Sequence, residues 1–126
     1  MSSILALYEN ANYYLYRKPV KMSRSFDGLA ALIGTELNRD IINGDVFLFL
    51  NRQRTMIKVF VYQQKRFGIY YSRLDEGSFP LPVIAGENIS YKMSVQQIMV
   101  MLSGMTLEDG GYVKAEKYEP LHGTAV

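Results

Sequence analysis

The side chains of this 126-residue chain best equipped for chemistry are cations, and the chemistry they suit is the holding of phosphate oxygens. Arg52 and Arg54 flank Gln53 in one polar stretch, Lys65 and Arg66 stand together in another, Lys58 interrupts an apolar run and Arg73 closes one. Guanidinium groups offer planar, fixed donors and ammonium groups a mobile point charge, and both can grip a nucleic-acid backbone. Asn51 carries a side-chain donor and acceptor together, the pair that can read a base edge. The candidate DNA-binding set is therefore Asn51, Arg52, Arg54, Lys58, Lys65, Arg66 and Arg73. Neutralising about six phosphates would make affinity fall about a thousandfold between about 50 and 200 mM salt.

Other chemistries find less to work with. The single histidine, His122, sits beside Gly123 in a polar C-terminal stretch where nothing holds it as a base or ligand. Cysteine is absent, which removes thiolate nucleophiles, disulfides and cysteine-ligated metals. Asp27, Asp45 and Asp75 could serve a two-metal nuclease only if the fold drew them around ions about 3.5–4 Å apart; otherwise they read as caps and turn residues. No phosphate-cradling glycine loop, nucleophile elbow or dinucleotide fingerprint occurs. The expectation is a protein that is not an enzyme and carries no cofactor.

The elements that must position the cations lie between Gly44 and Pro80. Val46 to Leu50, Met56 to Tyr62 and Phe67 to Arg73 are rich in aromatic and β-branched residues and are separated by polar clusters, the pattern of an antiparallel meander. A tight turn at Gln64 and Lys65 sets Lys58 opposite Tyr71, Phe60 opposite Ile69 and Met56 opposite Arg73. One face of the ribbon is then aliphatic, through Ile57, Val59 and Val61. The other alternates rings with cations, and reads either as a stacking platform for bases or as a second apolar layer with Lys58 and Arg73 reaching out at its rim. Tyr13 to Arg17 reads as a further strand ending near Pro19.

Two helices complete the set. From Ser23 to Leu37, Phe26, Leu29, Ala30, Ile33 and Leu37 make one stripe at helical spacing, with Ser23 or Ser25 as N-cap. Gly28 and Gly34 each cost that helix about 1 kcal/mol, so packing must hold it. The second opens at Ser94 with the capping-box pattern Ser94-Val95-Gln96-Gln97 and ends near Gly104. Its methionines are soft apolar filler or a docking face, and Ile98, Met101 and Leu102 are the candidate partner-binding residues. The segment from Leu74 to Ser90 reads as an irregular connection. The fold class is α+β: an antiparallel sheet of about four strands with a meander core, one helix on a face and a second near the C-terminus.

Size and charge fit that reading. One domain is expected over residues 13–105, with an N-terminal arm at 1–12 and a polar, flexible tail at 106–126. Residues 14–73 hold eleven Lys or Arg against four acids, a net of +7, and the remainder holds three against eight, a net of −5. A basic body of this kind suits a polyanion partner, although a solvated surface gives the same totals. The N-terminus matches neither a secretion signal nor a membrane span, so a cytoplasmic, membrane-free protein is expected.

Three stretches, YLYRKPVKMSRSFDGLAALI from Tyr14, GDVFLFLNRQRTMIKVFVY from Gly44 and FGIYYSRLDEGSFPLP from Phe67, resemble a known family. It is the small accessory protein, TnpB, encoded by the second reading frame of bacterial insertion sequences of the IS-sixty-six type, distinct from the RNA-guided nuclease of the same label. Phe26-Asp27-Gly28-Leu29, Asn51-Arg52, Arg54, Lys58, Tyr70-Tyr71 and Arg73-Leu74 occupy the positions of that family's motifs. The chain departs from them at Lys21, where aspartate is usual, at Ser25, where glycine is, at Gln53 within an arginine run, and at Asp75 in place of glutamate. The resemblance implies a bacterial, cytoplasmic role in transposition beside a separate transposase, with insertion-sequence ends or target DNA, the transposase and other accessory proteins of the element as partners. It leaves two readings: a non-catalytic DNA-binding accessory protein, or an adaptor docking on the transposase or another accessory subunit. Self-association is compatible with both.

Overall fold

The computed structural model describes residues 11–63, 65–103 and 112–113. The expected arm, apart from Ala11 and Asn12, and the expected tail, apart from Tyr112 and Val113, lie outside these residues, as does His122. The elements are β1 (Tyr13–Tyr16), α1 (Phe26–Thr35), β2 (Val46–Leu50), β3 (Met56–Gln63), β4 (Arg66–Arg73), β5 (Leu81–Pro82), β6 (Ser90–Met93), α2 (Val95–Ser103) and β7 (Tyr112–Val113).

β1 occupies the fourth position of a five-stranded sheet ordered β4-β3-β2-β1-β6, and β5 pairs with β7 in a separate two-stranded sheet. The meander takes the expected register, with Lys58 opposite Tyr71, Phe60 opposite Ile69 and Met56 opposite Arg73. The α+β class stands, with two differences in the sheet. It has five strands, and β1 runs parallel to β2, Tyr13 pairing with Val46 and Leu15 with Leu48. Parallel pairing requires a long crossover, and residues 17–45, with α1 inside them, supply it. The added strand, β6, pairs antiparallel with β1. Only four residues long, it alternates Tyr91 and Met93 with Ser90 and Lys92 too briefly to show as a periodic run.

Burial explains the composition of the central strands. Tyr-Tyr-Leu-Tyr in β1 and Val-Phe-Leu-Phe-Leu in β2 are buried at every position, because both faces of the sheet are covered. On one face Tyr14, Tyr16, Phe47, Phe49 and Phe60 pack with Leu29, Leu32 and Ile33 of α1. On the other, Leu15, Leu48, Ile57, Val59 and Val61 pack with Phe79, Leu81 and with Ile98 and Met101 of α2. α1 is shorter than the expected Ser23–Leu37 span, and Ser25 stands at the N-cap without a side-chain cap hydrogen bond. Gly28 has a packing reason: a Cβ there would come within 3.3 Å of Arg24 Cδ and Nη1, which lie across the helix.

The α2 seam, the candidate partner-binding set, packs inward. Ile98 and Met101 are buried in the core and Leu102 packs against the same cluster, so the apolar stripe read from spacing turns toward the sheet. Met99 is the large apolar side chain of α2 that faces outward, 53% exposed.

Candidate nucleic-acid interface

Each connection of the meander holds cations in a conformation set by the chain around it. In the β2–β3 turn Asn51 is the organiser. Its Oδ1 accepts from the Thr55 and Met56 backbone N–H groups at 2.9 and 3.0 Å, and its Nδ2 donates to Thr55 Oγ1 at 3.0 Å and Gln53 Oε1 at 3.3 Å. Both ends of the carboxamide are therefore committed to the turn, so a base edge would have to compete with them. The Arg54 backbone lies in the left-handed region at φ 57°, and its carbonyl accepts from Phe79 N–H at 2.7 Å, while that of Thr55 accepts from Leu74 N–H at 2.8 Å. The turn is thus fastened to the segment after β4.

The loop from Arg17 to Ser25 joins this end of the sheet, which the sequence reading did not foresee. Val20 N–H donates to Leu50 C=O at 2.8 Å, and a small cleft of about 20 Å³ is lined by Tyr16 at the end of β1, by Arg17 and Lys18 from the loop after it and by Asn51, Arg52 and Arg54 from the β2–β3 turn. None of its lining residues is acidic. Arg17 is buried and ties the 86–89 segment down, its Nη1 donating to Gly86 C=O at 3.1 Å and Asn88 C=O at 2.8 Å. Lys18 pairs with Glu36 at 3.5 Å, and Tyr16 Oη donates to the same carboxylate at 3.0 Å. Burial first, then that hydrogen bond and the carboxylate charge, push the Tyr16 phenol well above its ordinary range, against the pull of Arg24. The signal for this loop was the basic run Arg17, Lys18, Lys21, Arg24. Its proximity to Arg52 depends on the parallel pairing of β1.

Lys58 and Arg73 stand near the same end. Lys58 Nζ donates to Arg24 C=O at 2.8 Å and lies 5.4 Å from the Tyr71 ring centre, and Arg73 is exposed at the end of β4. Lys65 and Arg66 do not join them. They sit at the opposite end of β3, whose eight residues set the two connections about 25 Å apart. Lys65 also takes the left-handed region, at φ 60°. The seven candidates therefore form two groups on one ribbon, Asn51, Arg52, Arg54, Lys58 and Arg73 at one end and Lys65 with Arg66 at the other.

The two readings of the ring-bearing face divide along the strands. Phe60 is fully buried beneath Phe26, their rings stacked 5.3 Å apart, so β3 contributes to the second apolar layer. On β4, Phe67 and Tyr71 remain 41% and 52% exposed. The carboxylates do not converge: Asp45 precedes β2 at the far end of the sheet, and Asp75 follows β4 beside the β2–β3 turn. Among the described residues no group of three acids or histidines could hold a metal, and no helix is long and apolar enough to cross a membrane.

Comparison with known proteins gives one match. A family profile described as IS66 Orf2-like protein matches residues 11–111. No curated protein and no solved structure matches the chain.

Proposed function

The chain belongs to the IS66 Orf2-like family, which gives it an accessory role in insertion-sequence transposition, and from that premise we propose that it acts without catalysis by gripping DNA through the basic ends of its β3–β4 ribbon. The observation that carries this reading is the gathering of Arg52, Arg54, Lys58 and Arg73 at one end of the sheet, with Lys18 from a second loop on the same cleft and no acid lining it. Lys65 and Arg66, about 25 Å along the ribbon, give a second foothold, a separation of about seven base-pair steps of duplex. A left-handed backbone costs an L-residue about 1–2 kcal/mol, yet both connections place a cation there, where glycine would be cheaper. A cation at a strained position supports a functional reason for it. Asn51 serves the grip by shaping the turn that presents Arg52 and Arg54.

A salt-titrated mobility shift on duplex DNA tests the proposal. About six phosphate contacts, one for each of the ribbon's cations, predict a slope of log affinity against log salt of about −5.4, and Arg52→Ala lowers its magnitude by about 0.9. Absence of binding to duplex and to single-stranded DNA alike at about 50 mM salt removes the DNA reading. The adaptor reading then takes its place, with the exposed Met99 of α2 as its point of attachment.

A further inference from the structure

We propose that the exposed face of β4, built from Phe67, Tyr71 and Arg73 with Lys58 beside them, is a stacking surface for unpaired bases, so that the chain prefers single-stranded or locally opened DNA to intact duplex. The proposal rests on the reading of the chain as a DNA-binding protein and adds the form of nucleic acid it selects.

The geometry begins with the register. Phe67, Ile69, Tyr71 and Arg73 alternate onto the face that α1 covers elsewhere. α1 reaches only part of β4: Phe26 packs edge-on against Phe67, with ring centres 4.7 Å apart, and leaves Phe67 41% and Tyr71 52% exposed. Large rings left half in water on one face at the edge of a sheet are the kind of surface that marks an interaction site. Both rings are held in place. Phe67 lies against Phe26 and Tyr62, and Tyr71 leans over β3, its hydroxyl donating to Met56 Sδ at 3.3 Å and Lys58 Nζ lying 5.4 Å from its ring. A ring fixed before binding loses little entropy when a base covers it.

Spacing and charge choose the occupant. Phe67 and Tyr71 are four residues apart on one strand, about 13 Å, close to the span of two nucleotide steps in an extended single strand. Lys58, opposite Tyr71, and Arg73, two residues along on the same face, flank that ring, and Lys65 precedes Phe67 by two residues at the other end of the strand, so each ring has a cation nearby for the phosphates of a base stacked on it. A rigid duplex buries its base faces and offers these rings nothing. A protein strand added to this edge would pair with the β4 backbone beside the sheet and would leave the faces of the two rings uncovered.

The test measures anisotropy of a labelled twelve-nucleotide oligothymidine and of a duplex of equal length with the full chain, Tyr71→Ala, Tyr71→Phe and Arg52→Ala, each checked for folding by circular dichroism. Tyr71→Ala is expected to weaken single-strand binding about tenfold more than duplex binding, and Tyr71→Phe, which keeps the ring and loses the bond to Met56, to stay within about twofold of the parent. Arg52→Ala is expected to weaken both DNA forms alike. Equal losses on both forms for Tyr71→Ala, no loss, or a Tyr71→Phe variant as weak as alanine overturns the stacking surface while leaving the DNA grip intact. A parent chain that binds neither DNA at about 50 mM salt overturns both.

Discussion

Replacing Lys65 by glycine and, separately, by alanine isolates the backbone of one connection from its charge. Both variants remove the same exposed ammonium group, and they differ in what the left-handed φ of 60° costs. An L-residue there carries about 1–2 kcal/mol that glycine does not, and glycine gives back about 0.5–1 kcal/mol through the greater freedom of its unfolded chain. Lys65→Gly should therefore exceed Lys65→Ala in stability by about 0.5–1 kcal/mol, about 2–5 °C in midpoint for a chain of this size. Urea and thermal unfolding followed by circular dichroism read that difference. Salt-titrated DNA binding reads the other half: each variant should lower the magnitude of the slope by about 0.9. A glycine variant no more stable than alanine refutes the strain argument. Unchanged slopes in both variants mean that Lys65 meets no phosphate.

Asn51→Ala strips the acceptor from two turn N–H groups and is expected to cost about 1–3 kcal/mol in urea unfolding, whereas Asn51→Asp keeps the acceptor and costs less. Tyr16→Phe tests the linkage at Glu36. The folded-state pKa of Tyr16 lies well above the unfolded value of 10.0, so the stability it contributes is fully present below pH 10 and is lost progressively as pH rises from there toward the raised folded-state value; the phenylalanine variant should show a shallower loss of stability above about pH 10. Gly34→Ala, in a helix with open space around the new methyl, is expected to raise stability by about 0.5–1 kcal/mol. Met99→Asp should leave circular dichroism and DNA binding unchanged, and a loss of transposase capture by that variant in a pull-down would favour the adaptor reading.

The meander was legible because its signals are local. Aromatic and β-branched runs broken by polar turns fix both the strands and, through the short second turn, the register of Lys58 with Tyr71. The α1 stripe was legible for the same reason, though Leu32 joins the buried face without having been singled out. What escaped was nonlocal. β1 could be recognised as a strand, but its parallel partner lies across a helical crossover, and nothing in Tyr-Tyr-Leu-Tyr says which neighbour it takes. The same gap hid the approach of Lys18 to Arg52 and Arg54. The apolar spacing of α2 was correct, but periodicity marks an apolar face without saying whether core or partner covers it, and Ile98 and Met101 went to the core. The cations were identifiable by type. Their division into two groups follows from strand length, which places successive turns of a meander at opposite ends.

The interior position of β1 fixes an order of assembly. Strands β2 to β4 follow one another through short turns and can close by themselves, whereas β1, once paired with β2, gains its second neighbour only with β6, since Tyr13 pairs with Met93 and Tyr16 with Ser90. Such distant contacts are slow to find. During synthesis the first strand therefore leaves the ribosome long before its second neighbour exists, with its apolar side chains waiting on a half-built platform. Until Met93 emerges one edge of β1 stays unpaired, and an unpaired strand edge on a nascent chain invites aggregation.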